Sequence, residues 1–123
     1  MPRKPLISVV DDDVSVRESL PDFLSTFGFS VRSFASAREF LESASVDRTD
    51  CLVLDISMPE MTGPELQAEL KRMQKEIPIV FITAHVAEAT RLYVLEQGAI
   101  ACLLKPFTEA ELLEAVHRAT DAD

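Results

Sequence analysis

The stretch Leu6-Ile7-Ser8-Val9-Val10-Asp11-Asp12-Asp13 is the one from which the rest of the chain can be read. A mostly apolar run, rich in β-branched residues, stops abruptly at three aspartates. That is the pattern of a short strand buried on both faces whose carboxyl end meets polar surroundings.

Downstream, Val16, Leu20, Phe23, Leu24 and Phe27 recur at helical spacing, with Asp13 placed to cap the start and Gly28 the stop. Pro21 falls inside this helix and is a candidate kink. The alternation then repeats. Residues 29–34 read as a second strand, and Ser36 with Glu39 is a capping-box pattern opening a helix that buries Phe40, Leu41 and Ala44. Residues 51–54 form a third strand ending in Asp55; Pro59 and Gly63 mark a loop before a helix carrying Leu66, Leu70 and Met73. Residues 77–83 give a fourth strand, followed by a weakly capped helix through Ala89, Leu92 and Leu95 that stops at Gly98. Residues 100–104 give a fifth strand, and Thr108 with Glu111 is a second capping box, opening a helix that shows Leu112, Val116 and Ala119 to the core.

Five strand–helix repeats with apolar strands imply a parallel sheet whose right-handed crossovers lay helices on both faces, a doubly wound α/β fold with five helices. The 123 residues, 47% hydrophobic and 27% charged, suit one domain spanning 1–123. No apolar run reaches membrane-spanning length, and the basic start Arg3-Lys4 is followed by too short an apolar run for a signal peptide, so a soluble, cytoplasmic protein is expected. The formal charge of -9 opposes direct nucleic-acid binding. Cys51 and Cys102, each within an apolar run, read as buried reduced thiols.

In doubly wound sheets, ligands bind outside the carboxyl ends of the strands, where the strand order reverses. Those ends carry Asp11 and Asp12, Asp55, Thr83 and Lys105. In the flavodoxin-like order 2-1-3-4-5 the first and third strands are neighbours, which gathers Asp11, Asp12 and Asp55 into one pocket. Crowded carboxylates repel unless a cation lies among them, and an all-oxygen set suits Mg²⁺ or its surrogate Mn²⁺. An N-cap role explains Asp13 but not Asp55 and Lys105 together.

Four segments in order, Val9-Val10-Asp11-Asp12-Asp13, Leu54-Asp55-Ile56-Ser57-Met58-Pro59 with Gly63, Ile82-Thr83-Ala84, and Lys105-Pro106-Phe107, resemble the receiver domains of two-component response regulators. The resemblance covers essentially the whole chain and is strongest to the FixJ-like group. It implies a CheY-like version of the fold and a phosphoacceptor signalling domain, not an enzyme proper, that dephosphorylates itself slowly. On the matching positions, Asp55 would accept a phosphoryl group from a sensor histidine kinase. Asp12 and Asp55, the Ser57 carbonyl and, partly through water, Asp11 would hold the metal. Thr83 and Lys105 would contact the phosphoryl group, and the Lys105-Pro106 bond would be cis. The resemblance further implies transcriptional output through a C-terminal DNA-binding domain outside this chain, and a homodimer or output face on the fourth helix and fifth strand. Leu92, Tyr93 and Leu95 are candidates for that face, although a helical apolar pattern also suits core.

One position departs from the family. Cys102 stands where relatives carry an aromatic that couples to the threonine, so switching is expected to rely on the loop at 84–89 and the helix after it. Ser57 and His85, each two residues beyond a site residue, are candidates for tuning the phosphoryl lifetime; for His85 a plain solvent-exposed loop histidine is an equal reading. Three rival readings are weaker. An aspartyl-phosphate phosphatase would favour Asp-x-Asp at the nucleophile, where this chain has Asp55-Ile56-Ser57. A flavin module would need a glycine- and hydroxyl-rich loop in place of three aspartates. A degenerate receiver would have lost some of the acids, Thr83 or Lys105.

Overall fold

The computed structural model describes residues 4–121. The strands are β1 (Leu6–Val10), β2 (Ser30–Phe34), β3 (Cys51–Asp55), β4 (Ile79–Thr83) and β5 (Ala101–Leu104). The helices are α1 (Val14–Thr26), α2 (Ala37–Glu42), α3 (Gly63–Arg72), α4 (Glu88–Glu96) and α5 (Glu109–Asp121), with a 3₁₀ turn at Ala44–Asp47. All strand pairs are parallel, in the order β2-β1-β3-β4-β5. The expected strand order and helix count are both realised.

The period of two in the central strands splits the core into two layers. Ile7, Val9, Cys51, Val53, Val80 and Ile82 pack with Leu20 and Leu24 of α1 and Leu112, Ala115, Val116 and Ala119 of α5. Val10, Leu52, Leu54, Ile79 and Phe81 point to the other side, against Phe40, Leu66, Leu70 and Val94 of α2, α3 and α4. Ser8 is the polar exception within β1, and its hydroxyl bonds that of Thr49 at 2.7 Å.

Caps fix several helix starts. Asp13 accepts from Ser15 N–H at α1, and Thr108 and Glu111 exchange bonds at α5. At α2 the box is incomplete: Ser36 accepts from Glu39 N–H, but the Glu39 carboxylate takes the Ala35 N–H instead. Pro21 lacks the N–H that would bond the Arg17 carbonyl, and the Ser33 hydroxyl donates to that carbonyl at 3.3 Å.

Several expectations need correction. The second, fourth and fifth strands begin at Ser30, Ile79 and Ala101, later than the apolar runs suggest, because Phe29, Ile77 and Ile100 lead into the strands. Helix α2 ends at Ser43, whose hydroxyl bonds back to the Phe40 carbonyl, so Ala44 is exposed and Val46 of the 3₁₀ turn fills the core instead. Gly63 opens α3, where Thr62 and Glu65 form a full capping box; Met73 is its half-buried C-cap. In α4 the buried residue is Val94, with Ala89, Leu92 and Tyr93 exposed, and Ala87 at the N-cap makes no side-chain bond. Cys51 is buried, but Cys102 is only half-buried; both are free thiols.

Candidate functional site

The register of β1 against β3 pairs Val10 with Leu54, so the residues that follow, Asp11 and Asp55, leave adjacent strands side by side. Asp11 is fully buried, Asp55 is 6% exposed, and Asp12 lies open at the rim. One carboxylate oxygen from each of the three lies within 4.8 Å of the others.

These carboxylates differ in how they are held. Asp11 accepts the Asp13 N–H at 2.9 Å and the Lys105 ammonium at 3.0 Å, while the Arg17 guanidinium donates to its main-chain carbonyl at 2.9 Å. Asp55 accepts a long bond, 3.3 Å, from the Ser57 N–H. Burial and then the charge of Asp11 therefore dominate at Asp55 and push its carboxyl from 3.8 up to about 6, although Lys105 and the Ser57 N–H pull the other way. For Lys105, burial opposes the charged form, but the hydrogen bond and charge of Asp11, then the charges of Asp55 and Asp13, outweigh it and raise the ammonium above its usual value. The side chain starts from the end of β5 and reaches Asp11 beyond β1, so it spans the mouth of the pocket.

Thr83 ends β4 next to Asp55, since Asp55 pairs with Ile82. Its buried hydroxyl donates to the His85 carbonyl at 2.8 Å and accepts from the His85 N–H at 3.3 Å, which ties it to the following loop. The Ser57 and His85 side chains are exposed at this edge. The Lys105-Pro106 bond is cis. Cys102 lies apart: it pairs with Phe81 within the sheet and packs into the second core layer, half-buried, with burial raising its thiol.

Gly63 and Arg17 also shape the site. A methyl at Gly63 would sit 2.4 Å from the Asp55 carbonyl oxygen and 2.9 Å from the Phe81 ring, so only glycine lets α3 start this close to β3. The Gly63 N–H bonds the Ile56 carbonyl at 2.9 Å across the same junction. In the sequence Gly63 was legible as a loop marker and as part of a receiver-like segment, but its close approach to β3 was not. For Arg17 no signal exists, because its target is a main-chain carbonyl.

An all-oxygen, doubly or triply anionic pocket of this kind can hold a hard divalent cation, and the neighbouring ammonium and hydroxyl can meet further negative charge. The response regulator receiver domain family matches residues 7–117. Nodulation protein W of Bradyrhizobium diazoefficiens is 43% identical over 98% of this chain and 53% of its own length. The transcriptional regulatory protein FixJ of Rhizobium meliloti is 36% identical over 94% of this chain and 56% of its own. The crystal structure of FixJ-N superposes with a TM-score of 0.85 at 33% identity, covering 98% of this chain and 96% of that one. The chain thus spans about half the length of the curated relatives it matches.

Proposed function

The chain belongs to the response regulator receiver domain family of two-component signalling, and from that premise we propose that Asp55 accepts a phosphoryl group from the phosphohistidine of a sensor kinase. The observation that carries the reading is the pairing of a nearly buried, weakly hydrogen-bonded Asp55 with a lysine that bridges to the adjacent fully buried acid. One Asp55 oxygen attacks phosphorus in line, a P–O bond forms as the P–N bond to imidazole breaks, and the neutral ring leaves after protonation.

Asp11, Asp12 and Asp55, with the Ser57 carbonyl beside them, would hold Mg²⁺ or Mn²⁺, and the crowding of carboxylate oxygens fits such an ion. When bound, the cation supplies charge neutralisation for the acids and for the phosphoryl oxygens. Lys105, already fully cationic, meets the charge added at Asp55. Thr83 exchanges its bond to the His85 carbonyl for one to a phosphoryl oxygen, which frees the loop at 84–89. That exchange gives the switch a route independent of Cys102. Water then hydrolyses the acyl phosphate slowly, at a rate tuned by Ser57 and His85 at the pocket mouth.

Output is transcriptional, through a DNA-binding region outside this chain, in a cytoplasmic protein. Support comes from relatives named as transcriptional regulators and from the absence of any helix, among the described residues, long and apolar enough to cross a membrane. The α4–β5 surface is the face for a homodimer or output contact, with Leu92, Tyr93 and Leu104 each about half exposed there. To test acceptor identity, the protein is incubated with phosphoramidate and Mg²⁺, trapped with borohydride and mapped by peptide mass. The label belongs on the peptide containing Asp55; label on another residue would refute the assignment.

A further inference from the structure

Seven of the eleven lysines and arginines among the described residues are engaged. Arg72, Lys75, Arg91, Lys105 and Arg118 pair with acids, Arg17 bonds the Asp11 carbonyl and Lys71 bonds Gln97. Among the described residues only Lys4, Arg32, Arg38 and Arg48 lack an ion pair or side-chain hydrogen bond, and three of these four line one groove of about 800 Å³. Helix α2 ends at Ser43, which leaves Ser30 and Arg32 of β2 exposed up to the 3₁₀ turn, while Phe34 on the same face packs on Phe40 of α2. Asp47 is the acid on the groove wall, and Lys75 neutralises it.

The groove borders a free sheet edge. Strand β2 is the last in the order, and its ladder to β1 uses the main chain of Ser30, Arg32 and Phe34, as the bonds from Ser30 N–H to Pro5 and from Asp11 N–H to Phe34 show. Val31 and Ser33 therefore direct their N–H and C=O groups outward. Two independent features, unpaired main-chain groups in an extended row and unpaired cations beside it, call for the same occupant.

We propose that the β2 edge and its groove form a docking site for an extended acidic segment of a partner protein, added as a strand with its carboxylates on Lys4, Arg32 and Arg48. A second copy of this chain does not fit, because pairing two β2 edges would bring like charges together. The site lies along the β2 edge, and none of the residues lining its groove belongs to the acidic cluster of Asp11, Asp12 and Asp55.

The test is an amide chemical-shift titration of the whole chain with an eight-residue peptide alternating Glu and Thr, and with a Lys/Thr control. The Glu peptide should shift Val31, Ser33 and the groove residues, with affinity falling ~10-fold or more between 50 and 500 mM NaCl. The variant K4E/R32E/R48E should abolish binding while acyl-phosphate formation at Asp55 persists. Ser33→Pro, which removes an outward N–H without breaking the ladder, should weaken binding ~10-fold or more. Absence of shifts, equal shifts with the Lys peptide, equal shifts with inorganic phosphate alone, insensitivity to both variants, or dimerisation through this edge would each overturn the proposal.

Discussion

The carboxyl of Asp55 is nearly buried and sits beside the fully buried Asp11, and both facts favour its protonated form against the weaker pull of Lys105 and of one long bond from the Ser57 N–H. Its folded value of about 6 lies above the ordinary 3.8, so the native state binds this proton more tightly than the unfolded chain does. The stabilisation from this proton is complete below pH ~4 and is lost as pH rises to ~6, after which the ionised carboxylate is a constant burden. Asp55→Asn should therefore stabilise the metal-free protein by about 1–2 kcal/mol at pH 7.5 and have little effect near pH 4, measured by urea unfolding in a chelating buffer. Millimolar Mg²⁺ should raise the melting temperature of the wild type and not that of the variant. At this scale the sequence was informative where chemistry needs a particular side chain: Asp11, Asp12, Asp55 and Lys105 come together, and Asp13 caps α1. It was silent where the partner is main chain, as with Arg17, and at Gly63 it marked a loop and a motif but not the close approach to β3.

The junction of β3 and α3 and the start of α4 hold the site in different ways. At the first, Gly63→Ala must push α3 away from the Asp55 carbonyl, which should cost about 2–3 kcal/mol in stability and slow phosphorylation, read by denaturant unfolding and by acyl-phosphate formation. At the second, α4 buries Val94 alone and has no side-chain cap, so its amides should exchange with solvent sooner than those of α1 and α5. Ala87→Asp should cap α4, add roughly 1 kcal/mol of stability and slow that exchange. Loose attachment suits the proposed release of the 84–89 loop by Thr83. Strands β1 and β3 were legible almost to the residue, because a continuous apolar run leaves little choice. Helices with one thin apolar contact were not: periodicity offered Ala89, Leu92 and Leu95 for α4, but contact with α3 selects Val94, whose carbonyl accepts the Gln67 amide at 3.1 Å. The end of α2 was missed because a serine that bonds back to its own helix reads like any other polar residue.

Over the whole molecule, the order β2-β1-β3-β4-β5 does the assembling, since it turns residues as far apart as Asp11 and Lys105 into a 3.0 Å pair at one edge of the sheet. The opposite side keeps three unpaired cations beside an open strand. Charge is thereby sorted, with acids concentrated at the carboxyl edge and free cations around the β2 groove. In the function proposed, the carboxyl-edge cluster is a metal-dependent phosphoacceptor built around Asp55. The decisive measurement is intact mass after incubation with acetyl phosphate, with and without Mg²⁺ and beside an Asp55→Asn control. A single phosphoryl adduct that requires both Mg²⁺ and Asp55 is the predicted result; an adduct that survives in Asp55→Asn, or none at any time from seconds onward, would contradict it.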